Sequence, residues 1–382
     1  MVLNPSKPAA TSEVHGILQR GLERAGYRPV WLETSVSEPG ATQARLAVAS
    51  GATLVVAAGG DGTVRSVAAG VAGTGVPLGI VPLGTANLAA RNLGLPLGDL
   101  RALATTAVRG GVVPADLAWV RTEPLTDGGV VEAGGRAGVT GRGRAGQTGA
   151  APAAPPAGWA RPTLGSEHAC MVVAGIGFDA GLVASTRPAL KHRIGWGAYA
   201  VAALRNLDSP RMDLVVTLDG PVSDAPADGG RRTGGPGGGA GPDGGRQTAG
   251  PDGADGARQV ERFQARNLLV ANGGRLPAGI VLMPEARVDD GLLDVAAIDT
   301  VRGLVGWASL ARQVLLPEPF SQATPGRATG RLELRRAREV TVRVGEPALV
   351  EVDGELLPPT RGVRVRLDPG ALLVRRTPPP PW

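Results

Sequence analysis

The sequence predicts an α/β domain followed by a β domain: a parallel sheet covered by helices on both faces, then an antiparallel β-sandwich. Three observations point there. The first hundred residues alternate buried-strand runs with helix-period runs. The region after residue 169 carries short alternating runs separated by turn residues. A length of 382 residues leaves room for two ordinary domains.

The elements follow in order. "MVLNP" is a short strand stopped by Asn4-Pro5. Residues 11–25 form a helix, capped by Thr11 or Ser12, with Val14, Ile17, Leu18, Leu22 and Ala25 on one stripe. "YRPVWLET" is a strand, and "ATQARLAVASG" a helix ended by Gly51. "ATLVVAAGG" is a buried strand entering a glycine loop, and "VRSVAAGVAG" the helix after it. "PLGIVPLG" and "ANLAARNLGL" repeat the strand–helix step. The predicted α/β unit, Rossmann-like with three layers, runs over 1–120. The tracts at 121–168 and about 219–258 are rich in Gly, Pro and Ala and too poor in large apolar groups to fold, so they read as disordered insertions. The β unit spans 169–360, with helices expected around 181–206 and 301–316. Residues 361–382 hold a strand returning towards the first domain and a disordered tail. The helix around 301–316 reads as a core cover or a membrane-facing surface.

Composition narrows the classes. Cys170 is alone, so neither a disulfide framework nor a cysteine metal site is expected. His15, His168 and His192 lie outside any ligand spacing. No apolar run approaches the ~18 residues of a membrane span, so a cytoplasmic protein is expected. The net charge of +6 suits an anionic partner or reflects arginine-rich composition. Lys7 and Lys191 are the only lysines. A lysine is a compact point charge that an arginine fork does not replace in a tight phosphate site.

Two loops carry the chemistry. Gly59, Gly60 and Gly62 allow backbone N–H groups to approach an anion, and the next helix points its N-terminus at the same place. Asp61 would repel a bare phosphate; it makes sense beside Mg²⁺ bridging to a polyphosphate, while Thr63 can donate to a phosphate oxygen. A tight strand-to-helix turn with a capping Asp61 explains the same residues. "PLGTAN", with Thr85 and Asn87, offers a second backbone-rich turn one βα unit later. Neither loop is a Walker loop or a GxGxxG fingerprint. "VDGE" near the end is, on its own, a two-residue turn signal.

"NPSK", "GGDGTV", "GIVPLGTANLAARNLGLP", "ADLAWV", "GFDA" with "KHRIGWGAYA", "PEARVDDGLLDV" and "VDGELL" occur in this order. The ordered set resembles the diacylglycerol kinase catalytic family, in its bacterial soluble lipid kinase branch. The resemblance spans nearly the whole chain apart from the two insertions. It implies ATP and Mg²⁺, an interdomain cleft, and phosphorylation of a lipid hydroxyl, most directly diacylglycerol to phosphatidic acid. By position, Asn4, Pro5, Ser6, Lys7 and Thr34 would line the nucleotide site. Gly59, Gly60, Asp61, Gly62, Thr63, Thr85 and Asn87 would hold the triphosphate, with Asp61 acting through Mg²⁺. Asp290, with the carbonyls of Arg287 and Leu292, would hold a structural Mg²⁺, and Asp116 would join that network. Glu355 would be the general base and Lys191 would neutralise the transferring phosphoryl group. Arg65 and Ser66 depart from the family's usual Asn-Glu, and Leu88 from its Asp. The resemblance implies a membrane lipid as substrate, peripheral contact with the anionic inner membrane face, and no nucleic acid partner. An edge-to-edge homodimer is compatible with it. An NAD kinase shares the "GGDGT" loop, and sphingoid bases, monoacylglycerol or glycolipids are alternative acceptors. A non-catalytic nucleotide-binding or lipid-transfer protein would be expected to lack Asp61 or Glu355, and both are present.

Overall fold

A computed structural model of the chain describes residues 1–125, 159–177, 211–220, 223–224, 258–275, 281, 283–300 and 330–377. The first unit alternates β1 (Val2–Leu3), α1 (Ser12–Arg24), β2 (Leu32–Glu33), α2 (Ala41–Ala49), β3 (Val55–Gly59), α3 (Asp61–Val71) and β4 (Leu78–Pro82). Strands β2-β1-β3-β4 are parallel neighbours in that order. Thr11 caps α1 through the Val14 N–H, and Val14, Leu18 and Leu22 are buried. Each such side chain contributes about 1.5–3 kcal/mol on leaving water.

Helix α3 is the most enclosed: every residue from Thr63 to Val71 is buried. It packs on α2, where Gly70 meets the Ala41 carbonyl and the Ala44 methyl, so a side chain there would separate the helices. Helix α4 (Leu88–Asn92) is shorter than its apolar run suggests. A helix that the sequence reading leaves unassigned, α5 (Leu100–Arg109), follows, with Asp99 accepting from the Arg101 and Ala102 N–H groups. Its buried Leu103, Ala104, Ala107 and Val108 form the helical stripe, diluted by Thr105 and Thr106.

The second unit is antiparallel. Its strands are β5 (Gly111–Thr122), β6 (His168–Cys170), β7 (Val173–Gly177), β8 (Met212–Asp219), β9 (Ser223–Asp224), β10 (Arg258–Ala265) and β11 (Asn267–Ala271). They continue with β12 (Leu293–Thr300), β13 (Gly330–Ala337), β14 (Glu339–Val352) and β15 (Glu355–Arg376). Strand β15 joins the two units. It pairs with β14 and β5 over most of its 22 residues, then sets Val374 beside Leu78 of β4 in parallel. A register shift between Asp368 and Leu372, with Gly370 at a φ of 62°, bends it into the first sheet.

The first insertion ends earlier than the sequence suggests. Trp159 and Ala160 are buried, the Ala160 N–H donates to the Leu356 carbonyl at 2.6 Å, and Leu164 bridges Glu167. An indole at the edge of a Gly/Ala/Pro tract supplies the apolar surface that the tract lacks. Lys191 and the expected helices around 181–206 and 301–316 lie outside the described residues.

Candidate active site

The glycine loop is the turn from β3 into α3, and it sits at the carboxyl end of the parallel sheet, where such folds open a crevice. It meets the "PLGTAN" turn backbone to backbone. A Cβ on Gly84 would lie 2.9 Å from the Gly60 Cα, and one on Gly60 would lie 3.0 Å from Cε and 3.2 Å from Nζ of Lys7. The lysine of "NPSK" therefore lies over the loop.

Asp61 stitches the two turns together. One carboxylate oxygen accepts the Asn87 N–H at 2.9 Å and the other the Leu88 N–H at 2.6 Å. It thereby caps the start of α4. Asn87 takes the left-handed conformation, with a φ of 49°, and its side chain closes the turn on the N–H and carbonyl of Gly84. Burial, then the nearby Asp353 charge, pushes the Asp61 carboxyl up to about 6, against the lowering effect of its amide partners. Asn4 joins the first strand to the loop: its Nδ2 donates to Thr63 Oγ1 at 3.0 Å, and its Oδ1 accepts from the N–H and hydroxyl of Ser6. Pro5 and Thr85 are exposed, while Thr34 is buried, its N–H donating to the Leu3 carbonyl at 2.9 Å.

Glu355 arrives from the far end of the chain. Its carboxylate lies directly against the Cα of Gly62, where any Cβ would collide with Oε1, and its Oε2 is ion-paired with Arg65. The hairpin that carries it is fixed from below. Asp353 takes a φ of 48°, and its buried carboxylate accepts the N–H groups of Met171, Val172 and Val173 at 2.8, 3.0 and 3.1 Å. Those amides are free because the strand breaks between β6 and β7. Gly354, with a φ of 85°, completes the turn, and its N–H donates to Glu351. Thus Lys7, Gly59–Thr63, Asn87 and Glu355 converge on the N-terminus of α3.

The expected magnesium ligands gather at another turn, around Gly291, and the carboxylates of Asp116 and Asp290 are engaged there. Asp116 accepts the Gly291 N–H at 2.8 Å and the Gly370 N–H at 2.7 Å. Asp290 accepts the Leu292 N–H at 3.1 Å and forms an ion pair with Arg336, whose Nε lies 3.2 Å from Asp294. Arg287 turns to Asp289. Among the described residues no group of three or more His, Cys, Asp or Glu is placed to hold a metal ion. Mg²⁺ on Asp290, with the carbonyls of Arg287 and Leu292 and with Asp116 nearby, stays what the resemblance implies: one carboxylate and main-chain oxygens would hold it. The arrangement fits a guanidinium at this turn, and Arg336 supplies the positive charge. At Asp61 the observed partners are the backbone amides of Asn87 and Leu88.

Arg65 and Asp353 are the site residues that sequence reasoning missed. Arg65 stands out in the sequence only as a departure from the resembled family's usual Asn, and Asp353 only as a turn former. Their signal was charge at positions whose burial appears only in three dimensions.

A parallel α/β unit that presents glycine turns to a carboxylate from a following β-sandwich defines a two-domain class. Residues 1–120 match the diacylglycerol kinase catalytic domain, and residues 171–376 match the YegS C-terminal NAD kinase beta sandwich-like domain. The chain belongs to this YegS-like diacylglycerol kinase family. It is 35% identical over 115 residues to a diacylglycerol kinase of Mycobacterium tuberculosis, covering 30% of this chain and 37% of that protein, well under two thirds of its length. It is 29% identical over 331 residues to a Pseudomonas aeruginosa protein named "Probable lipid kinase YegS-like", covering 86% of this chain and 78% of that one. Its fold is that of a diacylglycerol kinase from Bacillus anthracis, with a TM-score of 0.58, 19% identity, and coverage of 99% and 96% of the two chains.

Proposed function

We propose that the chain transfers the γ-phosphoryl group of ATP to a lipid hydroxyl, with diacylglycerol as the leading acceptor and phosphatidic acid as the product. The observation that supports this most is the seating of Glu355 on Gly62. A carboxylate from the far end of the chain stands at the helix N-terminus where a triphosphate would end.

In this reading the N–H groups of Gly60 to Thr63 and the positive end of α3 receive the phosphates, and Lys7 adds a point charge over Gly60. Asp61 holds the second turn at the distance the nucleotide needs. Glu355 accepts the proton of the lipid hydroxyl as its oxygen bonds to the γ-phosphorus and the bond to the β,γ-bridging oxygen breaks, releasing ADP. Magnesium enters as the ATP complex, a substrate, and supplies charge neutralisation to the phosphates. No described helix is long and apolar enough to cross a membrane. The acceptor is then met at a bilayer surface, and the net charge of +6 favours an anionic one.

The test is transfer from γ-labelled ATP to a panel of diacylglycerol, monoacylglycerol, sphingosine and ceramide in mixed micelles, with NAD alongside and Asp61→Ala as the blank. Label in phosphatidic acid is expected. Label in NADP alone, or in no acceptor, overturns the reading.

A further inference from the structure

Arg65 is a charged side chain in a place that should not tolerate one. It is 2% exposed, in the middle of a helix whose other residues from Thr63 onward are all buried. A guanidinium so enclosed persists only where partners balance its desolvation. The balance is supplied by the hairpin between β14 and β15. Nη1 donates to the Val352 carbonyl at 2.7 Å, and Nη2 is ion-paired with Glu355 Oε2. Val352 and Glu355 are cross-strand partners on either side of the Asp353-Gly354 turn. The fork therefore grips both ends of one turn.

We propose that Arg65 is the positioning residue for Glu355. By holding Oε2 on the buried side, it aims Oε1 over Gly62, into the space where the hydroxyl and the γ-phosphate would meet. The proposal rests on the reading of Glu355 as the base. The half-exposed state of the Glu355 side chain, 44%, fits the division: one oxygen is anchored inside and the other is open to a substrate. A simple counter-charge for the buried hairpin would need no fork. A lysine in the same place has one head and cannot hold a carbonyl and a carboxylate in the same plane.

The experiment is a double-mutant cycle on phosphoryl transfer to the acceptor found above, using Arg65→Met, Arg65→Lys, Glu355→Gln and the two combined variants. With Glu355 present, Arg65→Met is expected to lower kcat by about 10²-fold and leave KM for ATP within about twofold. Arg65→Lys should recover part of that loss. In the Glu355→Gln background neither Arg65 change should lower kcat further, because the residue acts only through Glu355. An equal loss of kcat in both backgrounds, or a raised KM for ATP at unchanged kcat, overturns the proposal. If Arg65→Met does not fold, Arg65→Lys carries the same comparison. Inactive Glu355→Gln beside fully active Arg65→Met and Arg65→Lys overturns this proposal alone. A Glu355→Gln enzyme at the wild-type rate overturns the base assignment as well. A crystal structure of the Arg65→Met protein gives a readout independent of turnover: Glu355 is expected to leave Gly62, and a carboxylate still seated there contradicts the clamp.

Discussion

His168 carries its charge state as a consequence of where it is buried. It is 4% exposed, its Nδ1 has no hydrogen-bond partner, and burial followed by the Arg65 charge pushes its pKa down to about 4. The unfolded chain binds a proton near pH 6.5 and the folded one near 4, so His168 contributes stability that is full above pH 6.5 and lost as pH falls towards 4. Asp61 and Asp294, both pushed up to about 6, act in the opposite sense: the fold holds their protons between about 3.8 and 6, and stability from them falls as pH rises through that window. A melt of the wild type alone sums these effects. The difference between wild type and His168→Gln isolates one. That difference, measured by denaturant unfolding, should shrink steadily from pH 6.5 to 4; a constant difference would mean that His168 titrates in the fold as it does in the unfolded chain. The sequence shows three separated histidines with no ligand spacing, and that remains true of His168. What it cannot show is the burial, which is set by β6 pairing with β5 far away in the chain.

At the scale of elements, the glycine loop and the hairpin are matched in shape. Gly62 is inside α3, where alanine has the better helix propensity by about 1 kcal/mol. Its Cβ would nevertheless occupy the place of Glu355 Oε1, the end of a flexible side chain. Gly62→Ala should therefore fold, with a melting temperature equal to or above that of wild type, while losing most of its transfer rate because Glu355 is displaced. Loss of both stability and rate would instead place Gly62 in the fold's support. Strand–helix alternation made most of the first unit legible, since buried parallel strands read as continuous apolar runs. Helix α5 escaped because Thr105 and Thr106 interrupt its stripe. The edge of the first insertion escaped because Trp159 and Ala160 bury themselves only against the strand that holds Leu356. The glycine loop was visible as a motif, but the partners of Asp61 were not: its carboxylate accepts from the amides of a turn 26 and 27 residues on.

For the whole molecule, the site depends on closure of the chain. Strand β15 starts at Glu355 in the sandwich and ends beside β4 in the parallel sheet, so one element ties the hairpin to the layer that carries the loop. Arg65 reaches across the same junction from α3. The order of the motifs was readable from the sequence, whereas their convergence is a property of this topology, and no local pattern displays it. The single-turnover rate of γ-phosphoryl transfer by Glu355→Gln, at saturating ATP and acceptor, tests that convergence most directly. A fall of about 10²–10⁴-fold with ATP affinity unchanged is predicted; transfer at the wild-type rate would contradict the account.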